Sequence, residues 1–513
     1  WLNYALVVIP FSVKKVLLEP KQFARLLAQR FLGSQAIGRM GTYRKLASVV
    51  GSGLISNGVK SRLGLLLETG DYDIFLRELQ KLPLSQKLWF FREGALAEIK
   101  RRELYSRIYE SRPVAKGAVS INVLYYLNNS LPYTQSGYTV RTQALIGSIG
   151  YRIDSLHAVT RLGYPLVIGK FPDPGKEPKE LSILMPRFMP FCEAKRYQMA
   201  KKMLVRFCVE NRISIIQTTS DFKNAALVSD VAQELGIPWI YEMRGEPHRT
   251  WLSKYPAQLA GKAMGSLHYR QSESKEIEAA KKASAVIVLS ELTEKKLMNA
   301  GIPRQRILEV PNAIDSDMEF DSNGARRIRE RLGLQDKKIV GTVSSLVPYE
   351  GLDTLIRALP QLDDQIVLVL VGDGEDRGRL TSLAKSLGID HRVYFPGRQP
   401  NSVIQSWYSI FDVFVVPRRD TPVTQSVTPI KPLNAMAVGT PLVCSDLPAL
   451  RSVTGGYARF VQPESPDGLA SAISEAIENP EGLMVNERWF ATRTWEANGE
   501  KLAKLYRKLS NQV

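Results

Sequence analysis

From Ile121 onward, short apolar runs alternate with longer amphipathic stretches, and the series occurs twice. The first set is INVLYYLNN, SLHAVTR, ISIIQTTS, PWIYEMR, AVIVLS and ILEVPN. After an irregular stretch from Asp315 to about Asp336, the second is KKIVGTVSSL, QIVLVLVGDG, RVYFPG, DVFVVPR, PLVCSD and ARFVQ. Runs this short and this continuous suit strands buried on both faces, and strands alternating with helices build a parallel sheet covered on either side. Two such series predict an α/β protein of two Rossmann-like, doubly wound domains facing a cleft, with ligands at the carboxyl ends of the strands.

The predicted boundaries are 118–315 for the N-terminal Rossmann-like domain and 316–490 for the C-terminal one. Residues 491–513 are predicted as a helix packing back on the N-terminal domain. Residues 1–117 read as a helical, basic N-terminal extension, because segments such as SQKLWFFREGALAEIKRRELYSRIYE place apolar residues three and four apart. RPVAKGA then reads as a linker.

Charge is unevenly spread. Residues 1–66 hold ten basic side chains against Glu19 alone, half of the chain's net +18. The apolar LNYALVVI falls far short of the roughly 20 residues a spanning helix needs. The following VKKVLLEPKQFARLLAQRFL is basic and amphipathic, so two readings stay open: a peripheral helix on an anionic membrane surface, or helices packed on the main body with a solvated basic face. No nucleic-acid-binding motif accompanies the charge. Apolar residues at 44% and charged ones at 23% exclude a disordered chain and a many-span membrane protein. Cys192, Cys208 and Cys444 are odd in number and lack metal-ligand spacing, so each is expected to be a buried thiol in a reducing cytoplasm. The four histidines form no metal motif.

Four segments carry more specific information: VPNAID at 310–315, LVPYEGLDTLIRAL at 346–359, VGDGEDRGRL at 371–380 and PLNAMAVGTPLV at 432–443. In this order and at these intervals they resemble the family 4 retaining glycosyltransferases of the GT-B fold, from about Ile121 to the C-terminus. The TP-x-K-P-L-x-A-M-A stretch is similar to one subgroup's donor site. The resemblance implies transfer of a sugar from a nucleotide-sugar donor to a glycan or lipid-linked acceptor, in polysaccharide or glycoconjugate synthesis, with no metal and no cofactor. The alternative is a non-catalytic homologue acting as a scaffold or regulatory partner.

In the first domain, LPYTQSGYTVRTQALIGSI follows a strand and opens a helix, where free amides, with Gly137 permitting close backbone approach, can bind the donor's diphosphate or an acceptor group, and Tyr138 is an acceptor-side candidate. PWIYEMRGEPHRT brings Glu242, Arg244 and His248 to a strand end. Arg244 reads either as a ligand for phosphate or donor hydroxyls or as a salt-bridge partner of Glu242 or Glu246; Glu242 and His248 are acceptor-side candidates.

In the second domain, the family pattern has an arginine and a lysine that hold the donor's diphosphate. Their counterparts here are Ser345 and Glu350, so that clamp is absent. PRRDTPVTQSVTPIKPL offers Arg418, Arg419 and Lys431 as replacements. GDG at 372–374 reads as a turn. The family's two donor-site glutamates correspond to Gln425 and Asn434. An amide oxygen accepts from a sugar hydroxyl as a carboxylate does, while its NH2 must donate, so the pocket is chemically viable but differently polarised.

Overall fold

The structure is a computed structural model that describes residues 57–81, 89–112, 120–173, 175–190, 192–255, 257–480 and 487–510. The basic stretch 1–56, on which most of the membrane-surface expectation rests, lies outside these residues, as does most of the RPVAKGA linker. The chain divides into two compact units. One comprises Trp1–Ile287, Leu297–Leu308 and Ala503–Val513; the other comprises Val288–Lys296 and Glu309–Leu502.

The first unit is built on a seven-stranded sheet: β1 (Asn122–Leu127), β2 (Ser155–Thr160), β3 (Leu181–Ile183), β4 (Ile215–Thr219), β5 (Trp239–Met243), β6 (Ala285–Val288) and β7 (Ile307–Glu309), in the order β3-β2-β1-β4-β5-β6-β7. β2, β1, β4 and β5 pair in parallel, and every residue of β1, β4 and β5 is buried. That burial explains the apolar run of β1 from Val123 to Leu127, while β4 and β5 also bury the polar Gln217 and Glu242. Among the described residues three helices precede the sheet, Asn57–Thr69, Tyr72–Gln80 and Trp89–Leu104, and they pack a small core from Leu63, Phe75, Leu79 and Ala95. The helix Trp495–Ser510 ends in the first unit. There the Tyr506 hydroxyl donates to Gln217 Oε1 at 2.6 Å.

The second unit holds a six-stranded sheet: β8 (Lys338–Val343), β9 (Ile366–Val371), β10 (Val393–Gly397), β11 (Val413–Val416), β12 (Leu442–Ser445) and β13 (Arg459–Val461), in the order β10-β9-β8-β11-β12-β13. Alternate side chains feed two cores. Ile339, Val367, Val369, Phe414 and Leu442 belong to one, and Val340, Leu368, Leu370, Val415 and Val443 to the other. Each such side chain taken out of water stabilises the fold by about 1.5–3 kcal/mol, which is why both faces must be covered by helices. The fold is two parallel-sheet Rossmann-like α/β units. In each, the strand order reverses beside the first strand, β1 against β4 and β8 against β11, and this is where open α/β sheets bind ligands.

Three glycines shape the second switch point. A Cβ on Gly351 (φ +68°) would lie 1.9 Å from the Pro417 carbonyl oxygen, one on Gly372 (φ +134°) 1.9 Å from that of Ser344, and one on Gly374 2.1 Å from that of Leu346. The loop after β8 is therefore pressed between the loops after β9 and β11. One expectation about the cysteines is corrected: Cys208 and Cys444 are buried, but Cys192 is exposed, because it precedes the helix Glu193–Glu210 instead of sitting on its inner face.

Candidate functional site

At the β8/β11 switch point, the loop after β8 delivers Glu350, the residues after β11 deliver Arg418 and Arg419, and the helix Lys431–Ala437 begins with Lys431. Arg418 donates to Glu350 through both Nε and Nη2, at 3.2 and 3.0 Å. Lys431 Nζ donates to Glu350 Oε2 at 2.5 Å and to Ser344 Oγ at 2.6 Å. Glu350 is 5% exposed and Arg418 6%. Burial by itself would raise the Glu350 pKa, but the charges of Arg418 and Lys431 outweigh it and hold the carboxyl at about 2. Burial pulls Lys431 down to about 8; Glu350 opposes that shift and Arg418 adds to it. Two cations thus share one carboxylate, leaving one positive charge in excess. Arg419, by contrast, is about a third exposed, pairs with Asp353, and stands 3.8 Å from Glu464.

The two amide positions bond to Asp420 and to Tyr408. Gln425 closes the short helix Pro422–Ser426, where its Nε2 donates to Asp420 Oδ1 at 2.6 Å. Half-buried Asn434 makes a hydrogen bond with the Tyr408 side chain. Ser345 is exposed in the loop after β8, where its carbonyl accepts from Ser344 Oγ. Gly372 and Gly374 serve backbone approach, as a turn requires.

At the β1/β4 switch point of the first unit, Glu242 is wholly buried. Arg141 Nε donates to its Oε1 at 2.9 Å, Arg244 Nη2 to its Oε2 at 3.1 Å, Gln217 Nε2 to its Oε2 at 3.1 Å, and the Tyr125 hydroxyl donates to it as well. Burial pushes the carboxyl upward, and Arg244 and Arg141 overcome this to hold it at about 2. Arg244 also donates through Nη1 to Thr142 Oγ1 at 2.6 Å and to the Tyr138 carbonyl at 2.9 Å. It therefore ties β5 to the helix Gly137–Ile149.

Glu242 does not present its charge at the strand end but anchors a buried network, and Arg244 is its partner. His248 is 2% exposed, edge-on to Tyr269 at 5.1 Å. Gly137 faces open space, so no close approach demands a glycine there; the helix start is instead closed by a Ser136/Thr139 capping box. Tyr138 is half exposed. With Arg244, Ser136, Thr139 and Thr142 it lines a cavity of about 350 Å³ at the carboxyl ends of β1, β4 and β5. Two further cavities, of about 530 and 790 Å³, share Asp221 with it. Sequence reasoning missed Arg141, Tyr125, Gln217 and Tyr506 as members of one network.

Residues 325–489 match the family model of glycosyl transferases group 1. A GDP-mannose-dependent alpha-(1-6)-phosphatidylinositol monomannoside mannosyltransferase of Mycolicibacterium smegmatis is 29% identical over 236 residues, 44% of this chain and 62% of that protein. An alpha-D-kanosaminyltransferase of Streptomyces kanamyceticus is 25% identical over 291 residues, 54% of this chain and 72% of that one. The chain thus spans less than two thirds of the mycobacterial relative's length. Among solved structures, sucrose-phosphate synthase from Thermosynechococcus elongatus superposes with a TM-score of 0.61 at 19% identity, covering 76% of this chain and 99% of that one. Anabaena HepE in complex with UDP does so with 0.51 at 18% identity, covering 76% and 98%. These similarities establish the fold of two Rossmann-like units, and within it residues 325–489 match the group 1 glycosyl transferase model.

Proposed function

We propose that the protein is a retaining glycosyltransferase that moves a hexosyl group from a nucleotide-sugar donor, bound by the second unit, to a glycan or lipid-linked acceptor. The observation that supports this most is the Arg418, Glu350 and Lys431 cluster at the β8/β11 switch point of a group 1 domain. As the bond from the sugar's anomeric carbon to the diphosphate breaks, negative charge grows on the leaving oxygen. Lys431 faces that oxygen, while Glu350 and Arg418 position its ammonium. The acceptor hydroxyl attacks from the face the leaving group departs from, and its proton passes to the departing phosphate, so no protein nucleophile is required. The relatives named as a mannosyltransferase and a kanosaminyltransferase support the hexosyl class.

The basic residues of the N-terminal stretch add a peripheral role to this reading, holding the protein on an anionic membrane surface where a lipid-linked acceptor resides. Among the described residues no helix is long and apolar enough to cross a membrane.

The test is a calorimetric screen of UDP-, GDP- and ADP-sugars, with product analysis of any that bind. Lys431→Ala should weaken nucleoside diphosphate binding roughly ten- to a hundredfold, the loss of one charge-assisted bond, and free nucleoside binding much less. Gln425→Glu with Asn434→Glu should lose turnover, because carboxylates then face groups arranged to pair with amide NH2. Wild-type protein that binds no nucleotide sugar, with binding gained only in that double variant, would refute the proposal.

A further inference from the structure

The cavity of about 530 Å³ in the first unit shares Asn128 and Asp221 with the cavity that Arg244 lines, and the transfer reading assigns it no role. Arg161, at the carboxyl end of β2, stands in its wall with Nε buried and unpartnered. Its guanidinium donates to Asn129 Oδ1 at 3.3 Å and lies 6.0 Å from the Tyr164 ring centre; no carboxylate pairs with it among the described residues. Lys223, in the first turn of the helix Phe222–Leu235, has no ion-pair partner for its ammonium among the described residues either. Arg101 pairs with Glu98 and, at 3.2 Å, with Glu193, which Arg196 also meets at 3.4 Å. The remaining carboxylate, Asp221, accepts from the backbone of Lys223 at 3.1 Å as a helix cap. Arg101, Arg161, Arg196 and Lys223 line the cavity with Glu193 and Asp221, and Glu98 neutralises Arg101, so Arg161 and Lys223 are the cations without an ion pair among the described residues.

A guanidinium nitrogen that is buried without an acceptor is costly, and Asp221 acts on Arg161 only through space, so the guanidinium is completed by an anion with several acceptor oxygens. Arg161 after β2 and Lys223 on the helix after β4 bring a planar fork of donors and a point charge to one cavity, a pair that suits a phosphate group. The volume is that of a small-molecule site, and Tyr105, Tyr126 and Tyr197 supply apolar walls for a sugar ring or glycerol backbone.

We propose that this cavity binds a phosphate ester, held by Arg161 and Lys223, and that the ester is the anionic end of the acceptor. The site stands on its own geometry; only the word acceptor rests on the transferase reading.

The full chain is titrated calorimetrically with glycerol 3-phosphate, and with glycerol as control, at fixed ionic strength. Glycerol 3-phosphate should bind and glycerol should not. Arg161→Gln and Lys223→Gln should each weaken binding tenfold or more, and Arg161→Lys should keep part of it. Lys223 is half-buried, so its variant keeps the test open should an Arg161 variant fail to fold. Dihexanoyl phosphatidic acid distinguishes the sources: affinity well above that of glycerol 3-phosphate points to a lipid-borne ester, and equal affinity to a soluble one. UDP and GDP are titrated in parallel. Nucleotide binding without glycerol 3-phosphate binding overturns this inference and leaves the transferase reading standing. So does glycerol 3-phosphate affinity unchanged in both glutamine variants. Nucleotide affinity lost in Arg161→Gln reassigns the cavity to the donor and overturns it as well.

Discussion

Glu350 occupies the place where the resemblance calls for a lysine, and its carboxylate carries the charge arrangement of the second unit. Glu350→Gln leaves Arg418 and Lys431 buried without their counter-charge, so it should lower unfolding stability by about 3–5 kcal/mol in urea denaturation. The pH dependence follows from the same pair. Glu350 has its carboxyl lowered from 4.5 to about 2, so its contribution is present above 4.5 and is lost as pH falls toward 2. Glu350→Gln should lose that acid sensitivity. Lys431 runs the other way: lowered from 10.5 to about 8, it disfavours the folded state when charged, and stability rises from pH 8 toward 10.5. Nucleoside diphosphate affinity should fall above pH 8 as the ammonium deprotonates, and Lys431→Met should flatten that profile. The sequence revealed the missing clamp but not its replacement, because Arg418 and Glu350 are 68 positions apart and nothing in either segment names the other as partner. Arg244 shows the same limit in milder form. Its pairing with Glu242 was one of two open readings, but Arg141 and Gln217, which complete that network, lie 101 and 25 positions from Glu242.

The strands were legible for a physical reason: a parallel strand buried on both faces is mostly apolar, as in IVLVLV, and a polar residue inside one, such as Gln217 or Glu242, needs a buried partner. Glycines were less legible, since the sequence does not say whether one is needed for its backbone or for its lack of side chain. Gly351 and Gly137 separate the cases. Gly351→Ala must place a Cβ 1.9 Å from the Pro417 oxygen at φ +68°, and it should destabilise the protein by about 1–3 kcal/mol or more and disturb Arg418 beside it. Gly137→Ala meets nothing within 4 Å in the first turn of a helix, and it should be neutral or stabilise by up to about 1 kcal/mol. Thermal melts of the two variants, with nucleotide titration of Gly351→Ala, check both. Equal melting temperatures would mean that the loop after β8 yields where the packing says it cannot.

At the scale of the whole molecule, the two units are not two consecutive stretches of chain. The first is completed by Leu297–Leu308 and by residues from Ala503 onward. Tyr506, fully buried there, donates to Gln217, which in turn donates to Glu242. Tyr506→Phe leaves the Gln217 oxygen buried without a donor, and by the usual penalty for an unsatisfied buried group it should cost about 1–3 kcal/mol. Hydrogen exchange should show the loss in β1, β4 and β5, with the β8 to β13 sheet unaffected; a uniform change would contradict it. The same discontinuity imposes an order on biosynthesis. Residues up to Leu308 leave the ribosome first, but Tyr506 follows only after almost all of the second unit has been made, roughly ten to forty seconds later at 5–20 residues per second. For that interval the nascent first unit carries a glutamine side chain at its centre with an unclaimed oxygen and an open groove where the last helix will lie. It is then a substrate for chaperones and proteases, so the yield of protein in a cell should depend on how well that half-made state is guarded.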